Sequence, residues 1–571
     1  MEKKLTRRAF IAGTARSAAL ASLTLPAGLL LKGCVRSAEL DLVVSGGLVY
    51  DGTGGPPVEA DIGVKAGLIK VIGKSGSLAG KIMVPARGLA VSPGFIDIHT
   101  HTAEELLVNP RAESSVRQGV TTVVSGNCGE SPFPLTEEMA VEAAADLKER
   151  YGLELAWKDA AGFFLKVAER GTAVNYASLT GHGRLRACSV GYNDRPASEA
   201  ELDKMKELLL SSMEQGSLGL SSGLEYSPGS FAPTEELIEL CRAAAGRGGL
   251  YATHIRDEED GVLEAFDEAV RIARESGIRL QVSHLKVGYP RNWPKFGDLM
   301  ERFDRAAGSG LDIQADRYPY VAWATGLSLF FPLWSREGRT GDFIKRLLEP
   351  GLQERLKEEV LKKGEELEGW DKVLISSVEL EKDRAFEGMS VEDAARSVRS
   401  GPYEFIRDLL IAENGRVGMI AFGMNEDHLR VILAHPLVSV GSDSSSLAPY
   451  GSLGRGKPHP RAYGTFPRVL GKYVREEKVL PLQVMIRKMT LMPARHLNLV
   501  GRGCVRAGWA ADLTVFDPEK IKDLATWTSP HTYPEGVVCV IVNGLPVVQG
   551  GEHTGLLPGR VLRKKTSGEV S

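Results

Sequence analysis

The sequence predicts an α/β fold: a (β/α)₈ TIM-type barrel with a small discontinuous β-sandwich domain and an inserted helical cap subdomain. Three observations carry this. Eight short apolar runs alternate with amphipathic stretches between residues 93 and 500. Chemistry-bearing side chains stand at the ends of several of those runs. Strand-like segments with turn residues otherwise occur only near the two ends of the chain.

Residues 1–34 are expected to be an export signal. Lys3, Lys4, Arg7 and Arg8 precede a mostly apolar run from Ser17 to Leu31, which is shorter than a bilayer-spanning helix requires. Thr6-Arg7-Arg8-Ala9-Phe10-Ile11 is similar to a twin-arginine signal. Leu31-Lys32-Gly33-Cys34 resembles a lipoprotein cleavage box, with Lys32 as its departure. The expected location is therefore exported, periplasmic or on the outer membrane face, with a lipid at Cys34 as the possible membrane attachment.

Residues 35–92 read as the first part of the sandwich. Leu40–Val44 and Leu48–Asp51 flank Gly46-Gly47, and Asp61–Val64 and Leu68–Ile72 continue the pattern. Matching texture returns in 501–571, at Ala511–Phe516 and Val537–Gly544. Either piece alone is too small for a core of its own.

The central domain, 93–500, supplies strands expected at 94–101, 120–125, 174–180, 218–222, 250–254, 280–284, 311–315 and 438–441. Glu199–Gln215 and Thr234–Gly246 are the clearest helices, with apolar residues recurring at three and four. The gap between the last two strands is too long for a loop. Residues 325–420 are therefore expected to form the cap; their Lys/Glu-rich stretch at 353–368 reads as a solvated helix face.

The ends of barrel strands are where such folds place chemistry. There stand His99 and His101, Cys128, His254, His284 and Asp443. In Asp97-Ile98-His99-Thr100-His101 an extended chain puts Asp97, His99 and His101 on one face. Imidazole and thiolate together suit zinc, and a zinc site with an open position is catalytic. Asp443 is the candidate catalytic carboxylate, taking and returning a proton. His182, between glycines at a strand end, fits a site role or a structural hydrogen bond equally. His435, His496, His531 and His553 stand in unrelated contexts.

The stretch Gly94-Phe95-Ile96-Asp97-Ile98-His99-Thr100-His101, with single histidines ending strands five and six and aspartate ending strand eight, resembles the amidohydrolase superfamily. Gly126-Asn127-Cys128-Gly129, Gly223-Leu224-Glu225-Tyr226, Thr253-His254-Ile255-Arg256-Asp257-Glu258, Ser283-His284-Leu285-Lys286 and His459-Pro460-Arg461 narrow it to the D-aminoacylase (N-acyl-D-amino-acid deacylase) family. The resemblance implies tightly held zinc on Cys128, His254 and His284. A second, weaker position would lie near His99, His101 and Asp443, with Asp443 as general base and then acid. It implies substrate binding through Tyr226, Lys286, Tyr318 and Arg461, which would hold the α-carboxylate of a small-molecule N-acyl amino acid. Arg317, where the family usually has an apolar residue, and a long Gly-rich loop over 444–458 depart from the pattern.

Composition narrows the alternatives. A net charge of -3 offers no basic field for nucleic acid. Six cysteines without a CxxC pair exclude a disulfide scaffold. The remaining readings are a cyclic amidase or hydantoinase-like enzyme, a dipeptidase, or a non-catalytic exported protein on the same scaffold.

Overall fold

A computed structural model describes residues 40–565 and 567–571. The export signal expected at 1–34, Cys34 included, lies outside the described residues.

Eight parallel strands form the central barrel. They are β1 (Phe95–Asp97), β2 (Val120–Ser125), β3 (Asn175–Ser178, resumed at Thr180–Gly181) and β4 (Gly219–Gly223). β5 (Leu250–His254), β6 (Arg279–Val282), β7 (Ile313–Arg317) and β8 (Val438–Val440) follow. Neighbours pair in sequence from β1 to β3 and from β3 to β8. A parallel bridge between Thr100 and Ser444, with the Asp443 N–H donating to the His99 carbonyl at 2.8 Å, joins β8 back to β1. The strand count matches the sequence expectation, but two boundaries differ in a way that matters. The first strand stops at Asp97 and the sixth at Val282. His99, His101 and His284 therefore lie on the turns just beyond their strands, where a side chain can be aimed across the barrel mouth.

Amphipathic helices cover the outside. Val262–Ser276 buries Val262, Phe266, Val270 and Ile272 along one stripe and ends at Gly277, whose φ of 72° suits glycine. Those four side chains contribute roughly 6–12 kcal/mol of burial before chain entropy is counted. Glu199–Glu214 begins with a Ser198/Glu201 capping box, and Thr234–Ala245 follows as expected.

The chain ends meet in one nine-stranded sheet. Ala90–Pro93 pairs antiparallel with Leu513–Phe516, which joins the N-terminal strands to the C-terminal ones. Alternation does the rest. Leu513, Val515, Cys539 and Ile541 face a core of their own with Leu42, Val44 and Ile62. Phe516, Val540 and Val542 face the barrel with Phe95 and Val120. The sheet also bends back on itself, because Ile69 donates to the Trp509 carbonyl at 2.8 Å.

The insertion is more than helical. Its helices Thr340–Leu348, Gln353–Glu366, Val391–Ser397 and Pro402–Ala412 pack with an antiparallel sheet of Ala322–Gly326, Gly418–Phe422 and Val373–Ser377, the second of these in the centre. Such five-residue apolar runs do not distinguish a strand from a buried helical turn by periodicity. The Lys/Glu-rich helix buries only Leu356, Val360 and Gly364, as a solvated face would.

Candidate active site

Five separate segments bring the six candidate ligands to the C-terminal mouth of the barrel. His254 is the last residue of β5, and the others stand just past β1, β2, β6 and β8. Ligand atoms of Cys128, His254 and His284 lie within 4.8 Å of one another. So do those of His99, His101, Cys128 and Asp443, so the thiol belongs to both sets. Cys128 Sγ is 3.4 Å from His99 Nε2 and 3.7 Å from His284 Nε2. Asp443 Oδ1 is 3.0 Å from His101 Nε2 and 3.3 Å from His99 Nε2.

The backbone is held in an uncommon conformation to achieve this. Cys128, His284 and Asp443 have φ of 51°, 34° and 52°. Side-chain-bearing residues avoid that region, and strain of this kind collects at functional sites. The loop carrying Cys128 needs glycine beside it: Gly126 has φ of 75°, and a Cβ there would sit 2.2 Å from the Leu179 carbonyl oxygen.

The donor set fits a divalent metal. A thiol and imidazoles form a borderline-soft set suited to zinc, and the two sets sharing one sulfur could hold one ion or two. His254 Nδ1 is buried without a hydrogen-bond partner among the described residues. Electrostatics agree. Burial opposes charge on the Cys128 thiol, yet His99 and the other imidazoles hold it well below the ordinary thiol range. Burial likewise opposes the Asp443 carboxylate, but Arg461, His99 and His284 keep it well below its ordinary value. His101 and His254 are held up to about 10 against burial, the first mainly by Asp443 and Cys128, the second by Glu258, Cys128 and Glu225. The site thus stabilises anionic oxygen and sulfur donors packed against imidazoles.

Two buried carboxylates back the imidazoles, and sequence reasoning missed both. Asp316, on β7, lies 3.0 Å from His99 Nδ1 and accepts from the His284 N–H at 2.8 Å and from Gln281 Nε2 at 2.9 Å. Glu258 lies 2.9 Å from His284 Nδ1 and 3.5 Å from His254 Nε2, and it pairs with the Lys286 ammonium. Such partners orient a ligating imidazole and set its basicity. The signals were present, since Asp316 stands one residue before the end of a barrel strand and Glu258 follows His254 by four residues on the loop after β5. Sequence alone could not say that either faced inward. Asp97 faces β8 instead of the ligands. Its Oδ1 accepts from the Ser442 N–H at 2.8 Å, and burial pushes it up to about 7.

A cavity of about 590 Å³ opens over these groups, walled by the cap. Tyr226, Lys286, Tyr318 and Arg461 all line it, with His101, Cys128, His254, His284 and Asp443. Arg461 Nη1 donates to Asp443 Oδ2 at 2.7 Å, and its guanidinium lies 4.7 Å from the Tyr318 ring centre. The Tyr318 hydroxyl is buried without a partner among the described residues. Lys286 Nζ is 2.8 Å from His284 Nδ1. The Tyr226 ring stands 5.0 Å from that of His254. Glu225 Oε2 reaches His254 Nε2 at 2.8 Å, another contact the sequence did not suggest. Arg317 does not line the cavity. It is buried behind Tyr318, with its guanidinium 4.2 Å from that ring centre, and donates to the Tyr320 carbonyl at 2.9 Å. His182 takes the structural alternative: it is buried against Glu236 at 2.8 Å, which also receives Arg186 at 2.5 Å. His435 and His531 bond elsewhere, to Asp304 and to the Gly456 carbonyl.

Known proteins share this architecture. The profile of the Amidohydrolase family matches residues 83–309 and 409–548. A D-aminoacylase of Alcaligenes xylosoxydans xylosoxydans is 35% identical over 92% of this chain and 98% of its own. An N-acyl-D-glutamate deacylase of the same organism is 34% identical over 93% of this chain and 98% of its own. The crystal structure of N-acyl-D-glutamate deacylase from Bordetella bronchiseptica, complexed with zinc and a phosphonate mimic of the reaction tetrahedral intermediate, superposes with a TM-score of 0.78. It is 33% identical and covers 92% of this chain and all of its own.

Proposed function

The chain belongs to the amidohydrolase family and, within it, to the D-aminoacylases, and from that premise we propose that it hydrolyses N-acyl-D-amino acids to a carboxylic acid and a free D-amino acid. One observation carries the reading. The Cys128 thiol stands with the imidazoles of His254 and His284 in one buried cluster, beside a carboxylate paired to an arginine.

Cys128, His254 and His284 would hold the tighter zinc, and His99, His101 and Asp443 a weaker second position, with Cys128 facing both. Zinc bound there supplies Lewis-acid polarisation of the amide carbonyl and a lowered pKa for water. The remaining chemistry belongs to the protein. Asp443 is kept ionised by Arg461, so it can accept a proton from the attacking water and pass it to the amide nitrogen as the C–N bond breaks. Arg461, Lys286, Tyr318 and Tyr226 line the same cavity and would grip the substrate's α-carboxylate, with the guanidinium fork giving direction. Lys286 must then share its ammonium between that carboxylate and Glu258. The cap walls the cavity and limits water around the reacting bond.

The reading includes export, supported by the basic start and short apolar run of residues 1–34, with lipid attachment at Cys34. Mass analysis of the mature N-terminus checks both. The central test is a panel of N-acyl D- and L-amino acids, hydantoins and dipeptides, scored by enantiomer for amine release. Release of D-amino acids at rates well above those from L-series and cyclic substrates is expected. Turnover confined to cyclic amides, or to dipeptides that end in an L-residue, would refute the reading.

A further inference from the structure

A second chamber, of about 360 Å³, meets the candidate active site beside the main cavity. The two spaces share four wall residues, His101, Ala324, Asp443 and Arg461. The second is otherwise built from different parts. The helix Glu137–Tyr151 supplies Arg150 and Tyr151, the cap strand Val373–Ser377 supplies Ser376 and Ser377, and the loop after β8 supplies Ser452 and Arg455. That loop is the long Gly-rich segment over 444–458 in which the sequence departs from the family pattern.

The chamber is preformed. Ser446 N donates to Thr102 Oγ1 at 2.8 Å, Tyr450 Oη donates to Glu113 Oε1 at 2.6 Å, and Lys457 N donates to the Ser376 carbonyl at 2.6 Å. The loop is thereby tied to the barrel at one end and to the cap sheet at the other. The chamber also reaches solvent, since Ser377 and Arg455 are exposed. Its wall mixes apolar Val378 and Leu453 with serines, with Arg150 and Arg455, and with the carboxylates of Glu105 and Glu379. The hydroxyls of Ser376, Ser377 and Ser452 make no hydrogen bond to other described residues, and Arg455 has no carboxylate within 4.0 Å among them.

A linear amide has two arms running from the bond that breaks. That bond must sit beside Asp443, where both spaces meet. Lys286, Tyr226 and Tyr318 line only the main cavity, so the amino-acid arm belongs there. We propose that the acyl arm runs through the second chamber, and that the chamber takes acyl groups longer than acetyl that carry hydrogen-bonding groups of their own, as a peptidyl arm does. An acetyl group would leave most of this volume to water. A peptide-like arm brings amide donors and acceptors to hydroxyls that lack protein partners. This rests on the proposed deacylase activity and deepens it, by assigning the acyl class.

The test uses the full metal-loaded protein and three acyl groups, acetyl, hexanoyl and acetylglycyl, each on D-leucine and on D-glutamate. The acetylglycyl substrates should exceed the acetyl ones at least tenfold in kcat/KM and should exceed the hexanoyl ones. Ser452→Trp, which fills the chamber, should abolish that advantage while acetyl turnover stays within twofold. Ser377→Tyr, on the cap strand that lines the same chamber, should do the same if the loop variant folds poorly. Equal kcat/KM across the three acyl groups overturns the proposal, as does an advantage that survives both variants. Hexanoyl ahead of acetylglycyl overturns the polar assignment. Absence of amine release from every substrate overturns the deacylase reading, and this inference with it.

Discussion

Replacing Glu258 with glutamine tests the coupling between the candidate metal ligands and the substrate clamp. Glu258 and Lys286 are both buried, at 7% and 6% exposure. The carboxylate contacts the Lys286 ammonium, lies 2.9 Å from His284 Nδ1 and 3.5 Å from His254 Nε2. Glutamine has the same shape and can still accept a hydrogen bond from His284, so packing changes little. What it removes is the counter-charge of a buried ammonium. Breaking a buried pair from one side costs about 3–5 kcal/mol, because the other charge stays in a low-dielectric site. The same change loosens the orientation of His284, and losing such a partner typically weakens metal affinity by about 10–100-fold. Urea denaturation of the metal-free protein reads the first effect, and zinc titration against a competing chelator reads the second. Lys286→Met separates the two. Combined with Glu258→Gln it removes the stranded charge, so the double variant should recover most of the lost stability but not the metal affinity. A single variant that loses less than about 1 kcal/mol would refute the pairing, and so would a double variant whose losses simply add.

Cys128→Ala should lose tightly bound metal and amine release together, with metal content read by mass spectrometry; retention of both would dismiss the thiol as a ligand. Asp443→Asn should keep stoichiometric metal while kcat falls by about a thousandfold or more, in line with loss of a proton-transfer group acting with its neighbours. Gly126→Ala touches no ligand, yet it forces a Cβ into a backbone at φ 75° and against the Leu179 carbonyl; metal affinity should drop at least tenfold in the same chelator titration. His496 is held down to about 3 by burial, helped by Arg279. Its unfolded counterpart gains a proton near pH 6.5, so the folded state is favoured above that pH and loses this contribution as pH falls from 6.5 to 3. The loss approaches roughly 4 kcal/mol. His496→Leu should flatten that acid limb in denaturation midpoints measured across pH.

Much of the site was legible in the sequence because ligand chemistry is local. A histidine, cysteine or aspartate at the end of an apolar run is visible without coordinates, and His99, His101, Cys128, His254, His284 and Asp443 all stand in such places. The β/α alternation was visible for the same reason, since burial period and turn residues are written residue by residue. The supporting partners were not. Asp316 and Glu258 look like any other carboxylate until the chain closes into a barrel and aims them at His99, His284 and Lys286. The cap sheet escaped notice because five-residue runs carry no decisive period. His182 had two open roles until Glu236, 54 residues away, was seen to hold it at 2.8 Å. The order of residues sets which side chains stand at the strand ends and hence what chemistry is available. Which of them meet, which carboxylates hold them, and the convergence of two chambers on Asp443 follow from packing, because distances between remote segments depend on how the whole chain folds.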